Sequence, residues 1–263
     1  MELKKKVKRP SDEFMPQYVA GRRAALEMLK DDERRTKIEK VYIAHGVQGP
    51  QIGEILHFLR VNKVPFSELD RRKFGELERN VANGVDSQGV LVLLGGVIYW
   101  ELDDLVTVEQ EKGRVVLVAL DGIEDPHNIG AIIRSAEALG ANGVLIPKRG
   151  AALSPAVYKT SAGAALHLPI VKVNNLAETI TLLKEDHHFL CLGLAGDGEK
   201  EIGQLDTSGN VLLVIGNEEK GMHRLVKERC DDVVKIPLRG KTESLNASVA
   251  SALAVYQVLS KSV

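Results

Sequence analysis

Three short stretches of the chain hold residues whose types and spacing could do chemistry. Residues 125–134 read DPHNIGAIIR, residues 215–221 read IGNEEKG, and residues 236–248 read IPLRGKTESLNAS. They supply a carboxylate at Glu218, amides at Asn128 and Asn246, a hydroxyl at Ser244 and a guanidinium at Arg134. Each stretch joins an apolar run to a polar, glycine-bearing loop, or a polar loop to a helix. That puts the polar groups at strand ends, where open α/β sheets collect ligand and catalytic groups. A loop running into a helix N-terminus can hold a phosphate or a ribose. The same residues also suit plain structural work. Asn128 would cap a helix after Pro126, Ser244 and Asn246 would cap the last helix, and Glu218 would favour the N-terminus of the helix that follows it. Arg134 falls among Ile132, Ile133, Ala136 and Leu139, so an arginine aimed into a site competes with a surface arginine whose stem is buried. Gly216 would let a ligand lie against the backbone.

Other chemistries find less support. The run LGLAGDG at 192–198 is not G-x-G-x-x-G and opens no helix, and LDGIEDPHNIG has the wrong glycine spacing, which disfavours a nicotinamide dehydrogenase. No P-loop motif is present. None of the seven histidines pairs at ligand spacing, and His187 and His188 would point oppositely in a strand, so no metal site is expected. Cys191 and Cys230 sit in or beside apolar runs without a partner cluster and read as reduced, buried thiols.

The elements that must position these groups fall into two α/β blocks. In the first, helices are expected over 20–30, 51–61 and 70–78, with strands at 40–43, 64–66 and 89–94. Ile52, Ile55, Leu56 and Leu59 form the apolar face of the middle helix. A stretch over 95–112 mixes a glycine pair, aromatics and acids, and reads as a linker with a short helix. The second block alternates strand and helix from residue 114 onward. Strands are expected at 143–146, 168–171, 188–194, 211–215 and 232–236 after the first, with helices over 129–139, 151–159, 161–166, 176–184, 222–229 and 246–259. Such alternation calls for a mostly parallel sheet. The resulting organisation is a basic tail over 1–15, a small domain over 16–96, a linker over 97–112 and a larger domain over 113–263.

The 263 residues are 44% hydrophobic and 27% charged, ordinary for globular material. No apolar run reaches the roughly 20 residues of a membrane helix, and the first residues lack the apolar core of a secretory signal; a cytoplasmic protein without membrane partners is expected. Net charge is −1. Residues 1–96 carry 18 Lys and Arg against 14 Asp and Glu, and residues 97–263 carry 17 against 22. A mildly basic front half could meet a polyanion.

Taken together, DPHNIGAIIRSAEALG (125–140), LLVIGNEEKGM (212–222) and IPLRGKTESLNASVASALAVY (236–256) resemble the three motifs of the SpoU/TrmH branch of the SPOUT RNA methyltransferases. The front segments VAGRRAALEML (19–29) and SQGVLVLL (87–94) look like that family's small, ribosomal-protein-like α/β/α RNA-binding domain. One departure is Ser87, where relatives often carry His. The layout is similar to the bacterial 23S rRNA guanosine 2′-O-methyltransferases. The resemblance implies an α/β fold with a mostly parallel sheet and a C-terminal trefoil knot. It implies S-adenosylmethionine held by backbone at Leu194, Gly196, Ile215, Gly216, Ile236 and Leu245, with no metal. It implies a homodimer through the knot domain, for which the small residues of the last helix suit close packing, and a structured RNA substrate, rRNA ahead of tRNA. Carried over by motif, Arg134 acts on the ribose 2′-hydroxyl, with Asn128, Glu218, Ser244 and Asn246 at the remaining polar positions. An arginine stays protonated at neutral pH, so stabilisation of developing alkoxide suits it better than proton removal. Within the family, a tRNA or an rRNA adenosine could replace the guanosine; outside it, a non-catalytic RNA-binding protein is the rival.

Overall fold

The computed structural model describes residues 17–82, 86–94, 99–148, 153–242 and 244–260. The basic run over 1–15, the opening of the 95–112 stretch and the start of the helix expected at 151 lie outside them.

The front unit runs β1 (Gln17–Ala20), α1 (Arg22–Lys30), α2 (Asp32–Arg35), β2 (Ile38–Ala44), α3 (Pro50–Val61), β3 (Phe66–Leu69), α4 (Arg71–Val81) and β4 (Val90–Leu94). Its sheet has the order β1-β4-β2-β3. β4 is antiparallel to both β1 and β2, while β2 and β3 are parallel. α1 and α3 bury Leu29, Ile55 and Leu59 against Val41 and Val92 on one face, and α4 packs Phe74 against Leu91 on the other. The strand expected at 64–66 starts instead at Phe66. The chain is still leaving α3 at Lys63, whose φ is 52°, and the ladder with β2 begins only at Phe66 opposite Val41. Asp70 ends that strand by capping α4, accepting from Arg72 N and Lys73 N at 3.1 and 3.0 Å. Buried Ser87 fixes the turn into β4, donating to Glu78 Oε1 through both its N–H (2.9 Å) and its hydroxyl (2.5 Å).

The second unit runs α5 (Leu102–Gln110), β5 (Val116–Asp121), α6 (Pro126–Leu139), β6 (Gly143–Pro147), α7 (Pro155–Thr160), β7 (Ile170–Val173), α8 (Leu176–His187), β8 (Leu190–Leu194), β9 (Lys200–Glu201), β10 (Val211–Gly216), α9 (Arg224–Arg229), β11 (Asp232–Lys235) and α10 (Ala247–Ser260). The seven strands order as β7-β6-β5-β10-β8-β11-β9, and every neighbouring pair is parallel. This is the mostly parallel α/β sheet the alternation required. β5 and β10 lie at its centre, with Leu117–Leu120 and Val211–Val214 fully buried. Strands covered on both faces must be apolar without alternation, and each such side chain contributes about 1.5–3 kcal/mol by leaving water. α6 and α10 cover one face; α5, α8 and α9 cover the other. α5 is therefore part of this core, with Leu105 and Val106 fully buried in it. His187 and His188 do not share a strand: His187 ends α8 and His188 caps it with φ 57°.

The chain moves outward from β5 through β6 to β7, then places β8 beyond β10 on the other side. A crevice opens at the carboxyl ends where the order reverses. Among the described residues, no helix is long and apolar enough to cross a membrane.

Candidate active site

The loop after β5 aims α6 at this crevice. Asp125, not Asn128, is the N-cap: its side chain accepts from His127 N at 3.1 Å, and Pro126 takes the first helical position. The reason lies in the proline, whose fixed φ suits the first helical position and so makes the residue before it, Asp125, the cap. Asn128 is thereby freed from capping. Its Nδ2 donates to Glu218 Oε1 at 3.1 Å.

Glu218 also departs from its expected partner. Instead of favouring the start of α9, it reaches the N-terminus of α10, where Oε1 accepts from Ala247 N at 3.0 Å. Asn246 Nδ2 donates both to that same oxygen and to Asn128 Oδ1, the latter at 3.0 Å. Asn246 Oδ1 meanwhile caps α10 by accepting from Ser248 N at 3.0 Å. Asn128, Glu218 and Asn246 thus form one closed network joining the first turn of α6 and the loop after β10 to the start of α10. An anion at a helix N-terminus is favoured by the helix dipole. Among the described residues, Glu218 Oε2 has no hydrogen-bond partner.

Beside this network lies a cavity of about 410 Å³ at the carboxyl ends of β8, β10 and β11. Leu194, Gly196, Ile215, Gly216, Ile236 and Leu245 all line it, as do Glu218 and Ser244. Ser244 stands two residues ahead of Asn246, whose side chain accepts at the start of α10. Gly216 is required by space: a Cβ there would stand 2.7 Å from both the Gly221 carbonyl carbon and the Met222 nitrogen. Among the lining residues that the sequence reading did not assign to the site, Met222, Lys227 and Asn217 bear most on its shape. Met222 folds over Gly193. Lys227 forms a 2.7 Å ion pair with Asp197 at the rim, and that bond holds the Asp197 carboxyl below its ordinary range. Asn217 Oδ1 accepts from Glu219 N and Lys220 N at 2.9 and 3.1 Å, while its Nδ2 donates to Gly122 O at 2.9 Å. An asparagine directly after a strand, a residue that bonds its own backbone two residues on in an Asx turn, could have marked this last residue.

Arg134 stands apart. It does not line the cavity of its own chain. It is exposed on α6 and makes no hydrogen bond or ion pair with a described residue. Its neighbours Ile132, Ile133 and Ala136 are buried; the arginine takes the solvent side.

The profile of the SpoU rRNA methylase family matches residues 115–256, the unit that carries the cavity. The chain belongs to this SpoU family of methyltransferases. The profile of the RNA 2′-O ribose methyltransferase substrate-binding domain matches residues 18–92, the four-stranded front unit. The SpoU chain is 37% identical over 246 residues to YacO of Bacillus subtilis (strain 168), which is named as belonging to the TrmH family of tRNA/rRNA methyltransferases; the match spans 93% of this chain and 95% of that one. It is 39% identical to a Staphylococcus haemolyticus protein named in the same way, over 92% and 95% of the two chains. Among solved structures, the SpoU methyltransferase AviRb of Streptomyces viridochromogenes, in complex with AdoMet, shares the fold with a TM-score of 0.78 at 24% identity, covering 94% of this chain and 90% of its own. An RNA 2′-O ribose methyltransferase does so with 0.71 at 22%, covering 93% and 88%. This SpoU chain is thus an RNA methyltransferase of the SpoU/TrmH family.

Both cysteines of the SpoU chain are free thiols, Cys191 buried and Cys230 only half-buried. Burial pushes both thiols up, Cys230 to about 12, which leaves them inert at neutral pH. Among the described residues, no group of His, Cys, Asp and Glu is arranged to hold a metal ion.

Proposed function

We propose that this chain transfers the methyl group of S-adenosylmethionine to a ribose 2′-hydroxyl in structured RNA, with a guanosine of 23S rRNA as substrate. The observation that carries this reading is the juxtaposition of the cavity with the Asn128–Glu218–Asn246 network. The cavity suits the donor chemically. Leu194, Ile215, Ile236 and Leu245 offer apolar walls to an adenine, Gly196 and Gly216 offer open backbone, and Glu218 and Asp197 at the rim favour a cationic sulfonium and ammonium. When bound, the donor supplies an activated methyl group. The remaining task of the protein is to align an oxygen with it and to handle one proton, and alignment alone can supply roughly 7–11 kcal/mol.

In this reading Asn128, Glu218 and Asn246 arrive preorganised, so ordering them at the moment of reaction costs little. Ser244 supplies a hydroxyl at the cavity wall. Cationic Arg134 stabilises alkoxide developing on the 2′-oxygen, and a substrate phosphate or water accepts the proton. Arg134 lies off its own chain's cavity, and this supports a site completed in a homodimer. α10, which packs beside α6, presents Val249, Leu253 and Tyr256 to solvent at 48, 44 and 59% exposure, one apolar stripe at helical spacing. Its small residues Ala247, Ser251 and Ala254 face inward, so the dimer face is this outer stripe. The same reading threads the region from β10 through β11 to α10 as a trefoil knot. The insertion of β8 between β10 and β11 is compatible with that path.

The test is mass-spectrometric mapping of 2′-O-methyl nucleotides in rRNA and tRNA from cells with and without the gene. One 23S guanosine should lose its methyl group in the deletion strain. A lost methyl group on a tRNA or on an rRNA adenosine would replace the substrate; unchanged methylation throughout would refute the reading.

A further inference from the structure

A second depression, a groove of about 490 Å³, opens at the carboxyl ends of β5 and β6 and the start of α8. The methyl-transfer reading makes no use of it. Asp121, 4% exposed, ends β5 beneath it. One carboxylate oxygen accepts from His223 N at 2.6 Å and the other from the His223 ring at Nδ1, 2.7 Å away. A carboxylate can only accept here, so the ring proton is held at Nδ1 and Nε2 faces outward. The His223 side chain is 73% exposed although it is anchored at two points. A fixed ring facing solvent is an unusual use of a buried acid.

The rest of the lining defines what would fit. Ile123, Leu176 and Val226 give a buried apolar floor, and Leu225, 55% exposed, gives an apolar lip. Glu124 and Asn174 stand at the edge, exposed, and neither side chain has a partner among the described residues. Two carboxylates exclude a phosphate. A flat ring with donors and acceptors along its edge fits every wall. The His223 ring and Leu225 can stack on a base face, the Asn174 amide can both donate and accept, and Glu124 accepts from an exocyclic amine.

Resting on the reading of RNA as substrate, we propose that this groove holds an unpaired base flanking the nucleotide to be methylated, and selects bases that carry an exocyclic amine. The groove and the donor cavity share a wall, since Asn217 Nδ2 of the cavity loop donates to Gly122 O of the groove loop. A single strand crossing the sheet edge meets both.

The experiment measures fluorescence-anisotropy binding of labelled heptamers: all uridine, or uridine with one central adenosine, cytidine or guanosine. Wild-type protein should bind the three amine-bearing heptamers at least fivefold more tightly than the all-uridine one. Glu124→Gln and Asn174→Ala, both solvent-exposed, should reduce that ratio below twofold while calorimetric affinity for S-adenosylmethionine and thermal midpoint stay unchanged. No base preference in the wild type, or an unchanged preference in both variants, would overturn the proposal. Methyl transfer to total RNA from a strain lacking the gene is followed in parallel. Preference in binding without any methyl transfer would reject the reaction while keeping the groove.

Discussion

Two parts of the candidate active site are built in opposite ways. Glu218 is fixed by Asn128, Asn246 and the start of α10, so its place is determined by its own chain. Arg134, carried by the same helix as Asn128, is exposed and makes no hydrogen bond or ion pair with a described residue. Neighbours hold the first group in place; the second is left free to meet a group outside the chain. In the proposed reaction, the first part supplies ground-state order and the second the interaction made only with substrate or with a second protomer.

Breaking that contrast should produce the largest effect at Arg134. Arg134→Ala should lower methyl transfer about 10²–10³-fold, in the range for removing a group that stabilises developing charge, with no change in thermal midpoint. Arg134→Lys should keep measurable activity; equal, complete loss in both would argue against a role based on charge alone. Next comes the apolar stripe on α10. Leu253→Asp should halve the mass in analytical ultracentrifugation and remove activity while donor binding persists, and an active monomer would separate Arg134 from any partner. Glu218→Ala should differ from both by costing stability as well as activity, about 1 kcal/mol, because Asn246 and the Ala247 N–H lose their acceptor. Asp125→Ala should cost about 1 kcal/mol through its helix cap and raise KM modestly by loosening Asn128.

The smallest effect belongs to the rim pair. Its hydrogen bond from Lys227 holds Asp197 below the ordinary carboxylate range. The folded-state value is depressed, so this contribution is present above the ordinary Asp value and lost as pH falls through the lowered one. Asp197→Asn should therefore flatten the acid limb of a thermal-stability profile slightly, by less than about 1 kcal/mol for so exposed a pair. Identical acid limbs would remove the pair from the account.

Much of this was legible in the sequence where one physical demand dominates. The unbroken apolar runs at 116–120 and 211–215 could only be strands covered on both faces, and the three polar stretches were already tied to strand ends. The sequence was misleading where local signals compete. Asn128 has the chemistry of a cap, but Pro126 moved the cap to Asp125. Glu218 is near α9 in sequence and near α10 in space. β1 is four residues long, too short for a period, and its existence depends on pairing with β4. α5 looked like part of a linker because its acids mask Leu105 and Val106, which are buried against the second sheet. The Asp121–His223 pair spans 102 positions, a separation no local pattern reveals.

In the proposed reaction a ribose oxygen receives the methyl group beside Glu218 and Arg134. Incubating the protein with methyl-labelled S-adenosylmethionine and RNA from a strain lacking the gene, followed by alkaline hydrolysis, tests it most directly. A methylated 2′-oxygen blocks cleavage of the adjoining phosphodiester, so the label should appear in an alkali-stable dinucleotide, and Arg134→Ala should lower its rate of appearance about 10²–10³-fold. Label released in mononucleotides, or equal labelling by the variant, would contradict the claim.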